Sequence, residues 1–96
     1  MFARVNTFQS APDRAEEETR YTEEKLIPVV RQMPGFKGWY TLVDRQTGKG
    51  LTITLWESEE AMRASEERAA QIRSQAAQDL PLQFQSVDRY EVMVQA

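Results

Sequence analysis

The sequence predicts an α+β domain in which an antiparallel sheet and two helices form in the order strand, helix, strand, strand, helix, strand. Segment 51–62 is the most informative, because three aliphatic residues alternate with three residues of the opposite sheet face before a helix begins: Leu51, Ile53 and Leu55 against Thr52, Thr54 and Trp56. Side chains of a strand alternate between the two faces of the sheet, so both faces should be at least partly covered. With 96 residues, the chain has room for one domain, 1–96.

The first part of the chain predicts a strand followed by a helix. Residues 2–8 alternate and lead into Gln9-Ser10-Ala11-Pro12, a pattern typical of a strand that ends at a helix N-cap with proline in the first turn. The helix should run from about 12 to 33, because its inward residues return at spacings of three and four: Ala15, Thr19, Thr22, Leu26, Val29, Val30 and Met33. Pro28 lacks a backbone donor, so we expect a kink or break one turn before it. Met33-Pro34-Gly35 should end the helix.

The second part predicts a hairpin, a helix and a last strand. Strand 36–43 and the strand from Leu51 are joined by a polar, glycine-containing turn over 44–50, so they should pair antiparallel. Ser58 is a good N-cap for a helix over about 59–79, whose inward residues are mostly small. Leu80-Pro81-Leu82 should break that helix, and 87–94 should form the final strand. This order is the ferredoxin-like split βαβ arrangement.

Composition excludes several kinds of function. The chain has no cysteine and no histidine, which excludes disulfides, thiolate metal sites, zinc enzymology of the usual kind and Ser-His catalysis. Its net charge of −3, with both signs mixed along the helices, argues against nucleic-acid binding. The longest apolar run, 26–30, is too short to span a bilayer, and no export signal is evident. We therefore expect a cytoplasmic protein with neither membrane nor nucleic-acid partners.

Three stretches of the sequence point to a known family. They are Asn6 on the first strand, segment 27–38 (Ile-Pro-Val-Val-Arg-Gln-Met-Pro-Gly-Phe-Lys-Gly) and segment 55–62 (Leu-Trp-Glu-Ser-Glu-Glu-Ala-Met). In these stretches, and along nearly its whole length, the chain resembles the antibiotic biosynthesis monooxygenase-like proteins of the dimeric α+β barrel superfamily. The resemblance implies a homodimer in which two sheets pack into a barrel, with a ligand cavity between each sheet and its own helices. The residues give separate support, because two short helices can cover only one face of a sheet that is apolar on both.

The branches of this family differ in how well the residues fit them. Its haem-degrading members resemble the chain at Asn6, but they carry a tryptophan and a haem-ligating histidine on the second helix, where this chain has Ser65 and Gln75. Without histidine, axial ligation of that kind cannot occur. The cofactor-independent branch deprotonates a phenolic substrate and stabilises the resulting anion and reduced oxygen with polar cavity residues. By resemblance and residue type, Asn6 and Trp39 would stabilise an oxyanion or superoxide, Tyr40 would donate a hydrogen bond and Arg4 would orient a carbonyl, with no cofactor or metal.

Each of these candidates also has a structural interpretation. Trp39, like Trp56, could fill the core or an interface, and Tyr40 could anchor packing. Asn6 could bond to a neighbouring backbone instead of lining a cavity. Arg4 could form an ion pair with an acid such as Glu57 or Glu91.

The two helices leave two interpretations open. Their small inward residues either roof a cavity or allow close approach to the sheet. If there is a cavity, the candidate substrate-binding residues are Thr19, Thr22, Phe36 and Ser65. The acidic runs 16–18 and 23–24 are interpreted as a solvated helix face with nearby basic partners.

The leading hypothesis is a cofactor-independent monooxygenase acting on a small aromatic or polycyclic phenol in the cavity of a homodimer. The alternative is a non-catalytic homodimer that binds a small molecule or has a structural role. A third hypothesis is an isomerase or lyase, which would work without oxygen.

Overall fold

The computed structural model describes all residues, 1–96, and places helices on one face of a four-stranded antiparallel sheet. The strands are β1 (Phe2–Ser10), β2 (Phe36–Val43), β3 (Lys49–Trp56) and β4 (Leu82–Glu91), arranged in the order β2-β3-β1-β4. In the central strands β1 and β3, residues that face the helices alternate with residues that face the opposite side, as the sequence predicted. The predicted α+β, ferredoxin-like fold is therefore confirmed, as are the antiparallel hairpin and the bounds of β2.

The first helical segment is divided where proline was expected to disturb it. A 3₁₀ turn (Pro12–Arg14) leads into α1 (Ala15–Tyr21), then a π-helical turn (Thr22–Leu26) and α2 (Ile27–Val30). In the π-helical turn, the N–H of Ile27 donates to the carbonyl of Thr22, five residues back. Pro28 has no N–H for the carbonyl four residues before it, so the change in pitch directly precedes the proline. The helical run ends at Val30, three residues before the predicted end.

The second helical segment is also divided, which the sequence did not predict. It consists of α3 (Glu59–Ala64) and α4 (Glu66–Asp79), with Ser65 between them. Ser58 caps α3 as expected, because its Oγ accepts from the N–H of Ala61 at 3.1 Å. At the break, the Ser65 hydroxyl donates to the carbonyl of Met62 at 2.6 Å and accepts from Arg4 of β1 at 2.7 Å. The predicted single helix is thus interrupted at Ser65, whose side chain is hydrogen-bonded to Arg4 of the sheet.

The last strand begins earlier and ends earlier than predicted, over 82–91 instead of 87–94. Its pairing with β1 shifts between Thr7, opposite Ser86, and Phe8, opposite Phe84, so Gln85 forms a bulge. A bulge reverses which residues of a strand face the core. Phe84 and Val87 can therefore both lie on the helix side, although their spacing breaks the period of two.

The core occupies one end of the space between sheet and helices. Val30, Trp56 and Met62 are its fully buried members, and Phe36 meets Trp56 edge-to-face with ring centroids 5.7 Å apart. The opposite sheet face has no cover, and Tyr40 and Leu42 on it are 61% and 50% exposed. The expectation that both faces are covered is therefore met on one face only within this chain. No helix is both long enough and apolar enough to cross a bilayer.

Candidate functional site

A cavity lies between the helix-facing side of the sheet and the helical layer, beside the small core. Its water-accessible volume is about 80 Å³, and hydrophobic residues form 14 of its 23 lining positions. Small residues of both helical segments roof it, among them Ala15, Thr22, Ala69 and Ala76. Of the two interpretations that the sequence left open, the structure therefore has the cavity.

Five of the residues proposed from the sequence line this cavity. They are Arg4 and Asn6 from β1, Thr19 and Thr22 from the first helical segment, and Trp39 from β2. The sheet brings the first two together because residues two apart on a strand share a face, and the helix spacing brings the threonines to the opposite wall.

Three of the proposed residues do not line it. Tyr40 follows Trp39 on the same strand, so it points to the other sheet face. Phe36 packs against Trp56 in the core, and Ser65 is occupied by its hydrogen bonds with Arg4 and Met62. The structure does not bring Tyr40 together with the other three catalytic candidates in this cavity, because the alternation of strand side chains separates it from Trp39.

Asn6 lies at the centre of the sheet, between Thr52 of β3 and Val87 of β4. The residue is only 7% exposed, and its side-chain Oδ1 is buried without a hydrogen-bond partner. An unpaired buried polar group typically costs about 1–3 kcal/mol of stability. The structural interpretation, in which this oxygen bonds a neighbouring backbone group, is therefore not what the structure has.

Arg4 is almost entirely buried, at 2% exposure, and the protein itself holds one nitrogen of its guanidinium, Nη2. Its Nη2 donates to the carbonyl of Met62 at 2.8 Å and lies 3.2 Å from Glu66 Oε2. The guanidinium carbon is 5.5 Å from the ring centroid of Trp56, within cation–π range. The ion pair weighed from the sequence thus exists, but the acid is Glu66 on α4 and neither Glu57 nor Glu91. The Arg4 Nε remains buried and unpaired.

Glu66 joins Arg4 to a second arginine. Arg89 of β4 grips its carboxylate with two hydrogen bonds, Nε to Oε2 at 2.9 Å and Nη2 to Oε1 at 2.7 Å. The bonds from Arg89, followed by those from Arg4, lower the pKa of Glu66 to about 2. The cavity wall on this side therefore keeps a positive charge, because two arginines share one carboxylate.

The indole groups of both tryptophans are already bonded within their own strands. Trp39 Nε1 donates to Thr41 Oγ1 at 2.8 Å, and Trp56 Nε1 donates to Thr54 Oγ1 at 3.0 Å. Trp56 is 1% exposed and belongs to the core, as interpreted from the sequence. Trp39 offers the cavity its ring, while its N–H faces Thr41.

Sequence reasoning missed two charged residues of the cavity wall, Glu18 and Arg73. Glu18 is 7% exposed, although it was assigned to a solvated acidic face, and its Oε2 is buried without a partner. Burial raises the pKa of its carboxyl, while the Ser10 hydroxyl partly opposes this. Arg73 has a buried and unpaired Nη1, and burial followed by repulsion from Arg4 lowers its pKa.

Helical spacing contained a signal for both residues. Glu18 lies three residues after Ala15 and four before Thr22, which are both inward positions. Arg73 lies four residues after Ala69 and three before Ala76. The charge of Glu18 led to its assignment to solvent, and Arg73 was not considered, although the helical position of each favoured the interior.

The buried, unpaired side-chain atoms of this protein all belong to residues that line this one cavity: Arg4 Nε, Asn6 Oδ1, Glu18 Oε2 and Arg73 Nη1. Buried polar groups are normally paired within the protein. The presence of four unpaired groups around one cavity therefore marks it as the candidate ligand-binding site. No three His, Cys, Asp or Glu side chains come together in a way that could hold a metal ion. The arrangement suits an apolar ligand with polar atoms on its edge.

Comparison with known proteins gives a sequence relative and similar folds. Over 77 residues the chain is 36% identical to the uncharacterised protein Rv2558 of Mycobacterium tuberculosis; this covers 80% of the chain but only about a third (33%) of that protein. The haem degrader MhuD of M. tuberculosis, solved with two haems in its active site, has a similar fold, with a TM-score of 0.73 at 23% identity over 100% of this chain and 99% of that one.

A second solved structure is similar over almost the full length. SnoaB of Streptomyces nogalater, a cofactor-independent oxygenase, gives a TM-score of 0.69 at 18% identity, over 98% of this chain and 94% of that one. At these identities the structures show the fold alone. The sequence model of the antibiotic biosynthesis monooxygenase family, however, matches residues 1–79, and the chain therefore belongs to that family.

Proposed function

We propose that the chain is a cofactor-independent monooxygenase that oxidises a small aromatic or polycyclic phenol in this cavity. The observation that supports the proposal best is the set of four unpaired polar atoms in a mainly apolar cavity. Apolar walls bind and desolvate an aromatic ring system, and the polar atoms fix its oxygen substituents. Membership of the family and the fold shared with SnoaB support the same reaction class.

The chemistry requires little from the protein beyond binding and charge stabilisation. A phenolate can transfer an electron to dioxygen, and recombination places oxygen on the ring carbon opposite the phenolic oxygen. For a substrate with a methylene at that carbon, CH₂ and O₂ become C=O and H₂O, so dioxygen is the oxidant and one of its atoms leaves as water. The protein lowers the barrier by stabilising negative charge that develops on oxygen.

The cavity residues can be assigned to these tasks. Asn6 would use the two ends of its amide differently: its Nδ2–H would donate to the developing oxyanion, and its buried, unpaired Oδ1 would accept from a substrate hydroxyl. The buried charge of Arg4, two residues earlier on the same strand face, makes that region electropositive. Trp39 provides an aromatic wall, since its N–H is bonded to Thr41. Tyr40 has no part in this assignment, because it lies on the opposite face of the sheet.

Haem chemistry does not fit this cavity. The chain has no histidine and no cysteine, so the cavity offers neither the imidazole nor the thiolate that usually ligates haem iron. The shared fold with MhuD therefore does not extend to its ligand in this proposal.

A non-catalytic binding protein is the second candidate, and a specific observation favours it. Arg4 Nη2 and Trp39 Nε1 are both committed to hydrogen bonds within the protein, which is what packing alone would require. Binding without turnover would still use Asn6 and the apolar walls. The two candidates differ only in whether bound substrate reacts with oxygen.

The experiment that separates them is oxygen uptake by the purified protein with anthrone as substrate. We expect uptake above the buffer rate, and a fall in kcat of about 100-fold in Asn6→Ala, the size of effect seen when one oxyanion donor is lost. Tyr40→Phe is the matched control, because it alters the neighbour of Trp39 on the other sheet face and should leave kcat unchanged. Uptake equal to buffer, with anthrone still bound, would favour the binding protein.

We also propose that the chain forms a homodimer through its open sheet face. That face carries exposed Tyr40 and Leu42 beside the half-buried aliphatic residues Leu51, Ile53 and Leu55 of β3. A second copy would cover these residues and protect the edge of the sheet.

A further inference from the structure

Glu18 differs from the two other acids of its run in where its side chain lies. The side chains of Glu16 and Glu17 are 86% and 51% exposed and approach Arg45 and Arg14, respectively. Glu18 is 7% exposed and lines the cavity from α1. It takes part in none of the ion pairs of the structure, so its charge is not neutralised by a close partner.

The groups around Glu18 leave one carboxylate oxygen free. Ser10 of β1 approaches the carboxylate from the sheet, Arg14 and Glu17 flank it on its own helical segment, and Arg4 and Arg73 lie elsewhere in the cavity wall. Its Oε2 is buried without any partner. A glutamate that served packing alone would lose stability in this position, because an apolar or amide side chain could fill the space without burying an unpaired charge.

We propose that Glu18 is the general base that converts the bound substrate into its phenolate, an inference that rests on the proposed monooxygenase function. The proton moves from the substrate to Oε2 of Glu18, which leaves a neutral carboxylic acid beside a phenolate. No electron moves in this step. The proton can then leave with the reduced oxygen as water, which restores the carboxylate for the next turnover.

The physical setting favours this transfer. Burial raises the pKa of Glu18, which brings the basicity of the carboxylate closer to that of a phenolate. Proton transfer also moves the negative charge from the carboxylate onto the substrate, in a cavity whose wall carries the unpaired donor Nη1 of Arg73. A base within the cavity further spares the substrate from ionising in bulk water before it binds.

The test follows proton removal without oxidation. Anthrone is the keto tautomer of a phenol, and loss of a proton from its methylene carbon gives the phenolate. Under nitrogen in D₂O, the enzyme-catalysed exchange of the methylene hydrogens, measured by NMR, reports the action of the base alone. We expect the parent protein to accelerate exchange, with a rate that falls as the pH drops through the raised pKa of Glu18, because only the ionised carboxylate accepts a proton.

Three variants complete the design. Glu18→Gln keeps the shape of the side chain but cannot act as the base, so exchange should fall about 100-fold or more. Glu18→Asp retains the acid and should keep part of the rate, while Glu16→Gln, which removes an exposed acid of the same run, should match the parent. Exchange by Glu18→Gln at the parental rate would overturn the proposal, and so would a parental rate equal to buffer.

The outcome is distinguishable from failure of the proposed function. Exchange that depends on Glu18, without oxygen uptake in air, would support the base and reject the monooxygenase. Oxygen uptake that is unaffected by Glu18→Gln would reject the base and leave the monooxygenase standing. Thermal unfolding of each variant checks that it folds. If Glu18→Gln does not fold, the exchange rate of Glu18→Asp is compared with that of the parent instead.

Discussion

Trp39 and Trp56 each donate their indole N–H to a threonine two residues away on the same strand, so neither group is available to a ligand. Asn6, Glu18 and Arg73 line the same cavity with polar atoms that nothing in the protein satisfies. Whether a buried polar group is paired distinguishes a structural role from a functional one better than residue type does, because a paired buried group is fully explained by its contribution to stability. An unpaired group costs stability and therefore needs another explanation.

At the same scale, the Glu66 carboxylate predicts a pH-dependent contribution to stability. Its folded-state pKa, about 2, lies below the ordinary value of 4.5, so the stabilisation is complete above pH 4.5 and is lost as the pH falls towards 2. Glu66→Gln should lower the free energy of unfolding at pH 7 by ~1–3 kcal/mol, a range reduced for partial exposure and increased by the buried Arg4 left behind.

Urea unfolding of the parent and Glu66→Gln at pH 7 and at pH 2.5 measures this contribution. The difference between the two proteins should shrink at the lower pH, because the carboxylate of the unfolded chain is then almost fully protonated while that of the folded protein is still mostly ionised, which favours unfolding. Glu67→Gln, at the exposed neighbouring position of α4, is the control and should change little at either pH. An equal difference at both pH values would show that the charge of Glu66 is not the cause.

At the scale of elements, the features that the sequence predicted correctly are those that depend on residues close together in the chain. The turn over 44–50, the cap at Ser58 and the change of helical pitch before Pro28 all depend on residues within a few positions. The break at Ser65 depends on Arg4, which is 61 residues away in the chain, and the early start of β4 depends on a bulge against β1. No local pattern contains those partners, so these features could not be predicted in the same way.

Some residues of the candidate site could also be predicted from local patterns, and others could not. Asn6 was identified from the resemblance to the family and the inward threonines from helix periodicity, and all of them lie in the cavity wall. Tyr40 was grouped with Trp39 by residue type, against the alternation of its strand. Glu18 was assigned to solvent by its charge, against its place in the helical stripe. In both cases the periodicity of the element was the better guide.

The connection from α2 to β2 predicts a strong effect of one methyl group. Gly35 has a φ of +80°, and a Cβ added there would lie 2.5 Å from the Cβ of Ala61 on α3. Gly35→Ala should therefore lower the free energy of unfolding by ~2–4 kcal/mol, through unfavourable backbone conformation and overpacking together. Gly38→Ala is the matched control, because its nearest neighbour, Leu55 Cδ1, would be at 3.6 Å. Equal stability of both variants in urea would contradict this account of the connection.

At the scale of the whole molecule, the two layers leave an imbalance. The helices cover one sheet face, where a cavity takes up part of the space and the fully buried apolar cluster contains only Val30, Trp56 and Met62. The other face shows exposed Tyr40 and Leu42 along an edge strand. A domain of this size with a cavity beside its core would gain stability from burying that face against a second copy, as proposed.

The proposed dimer can be tested by placing a charge on this face. Leu42→Glu would bury an unpaired carboxylate between two copies, and the two-fold symmetry would bring both carboxylates into one interface, so we expect it to dissociate the dimer. Sedimentation velocity should give a dimer for the parent and a monomer for this variant. Ala70→Glu adds the same charge at an exposed position of α4 and should remain dimeric. A parent that sediments as a monomer at all concentrations would reject the dimer, while a dimeric Leu42→Glu would place the interface on another surface.

Because a dimer gains stability from association, the parent should also melt at a temperature that rises with protein concentration, and Leu42→Glu should lose that dependence.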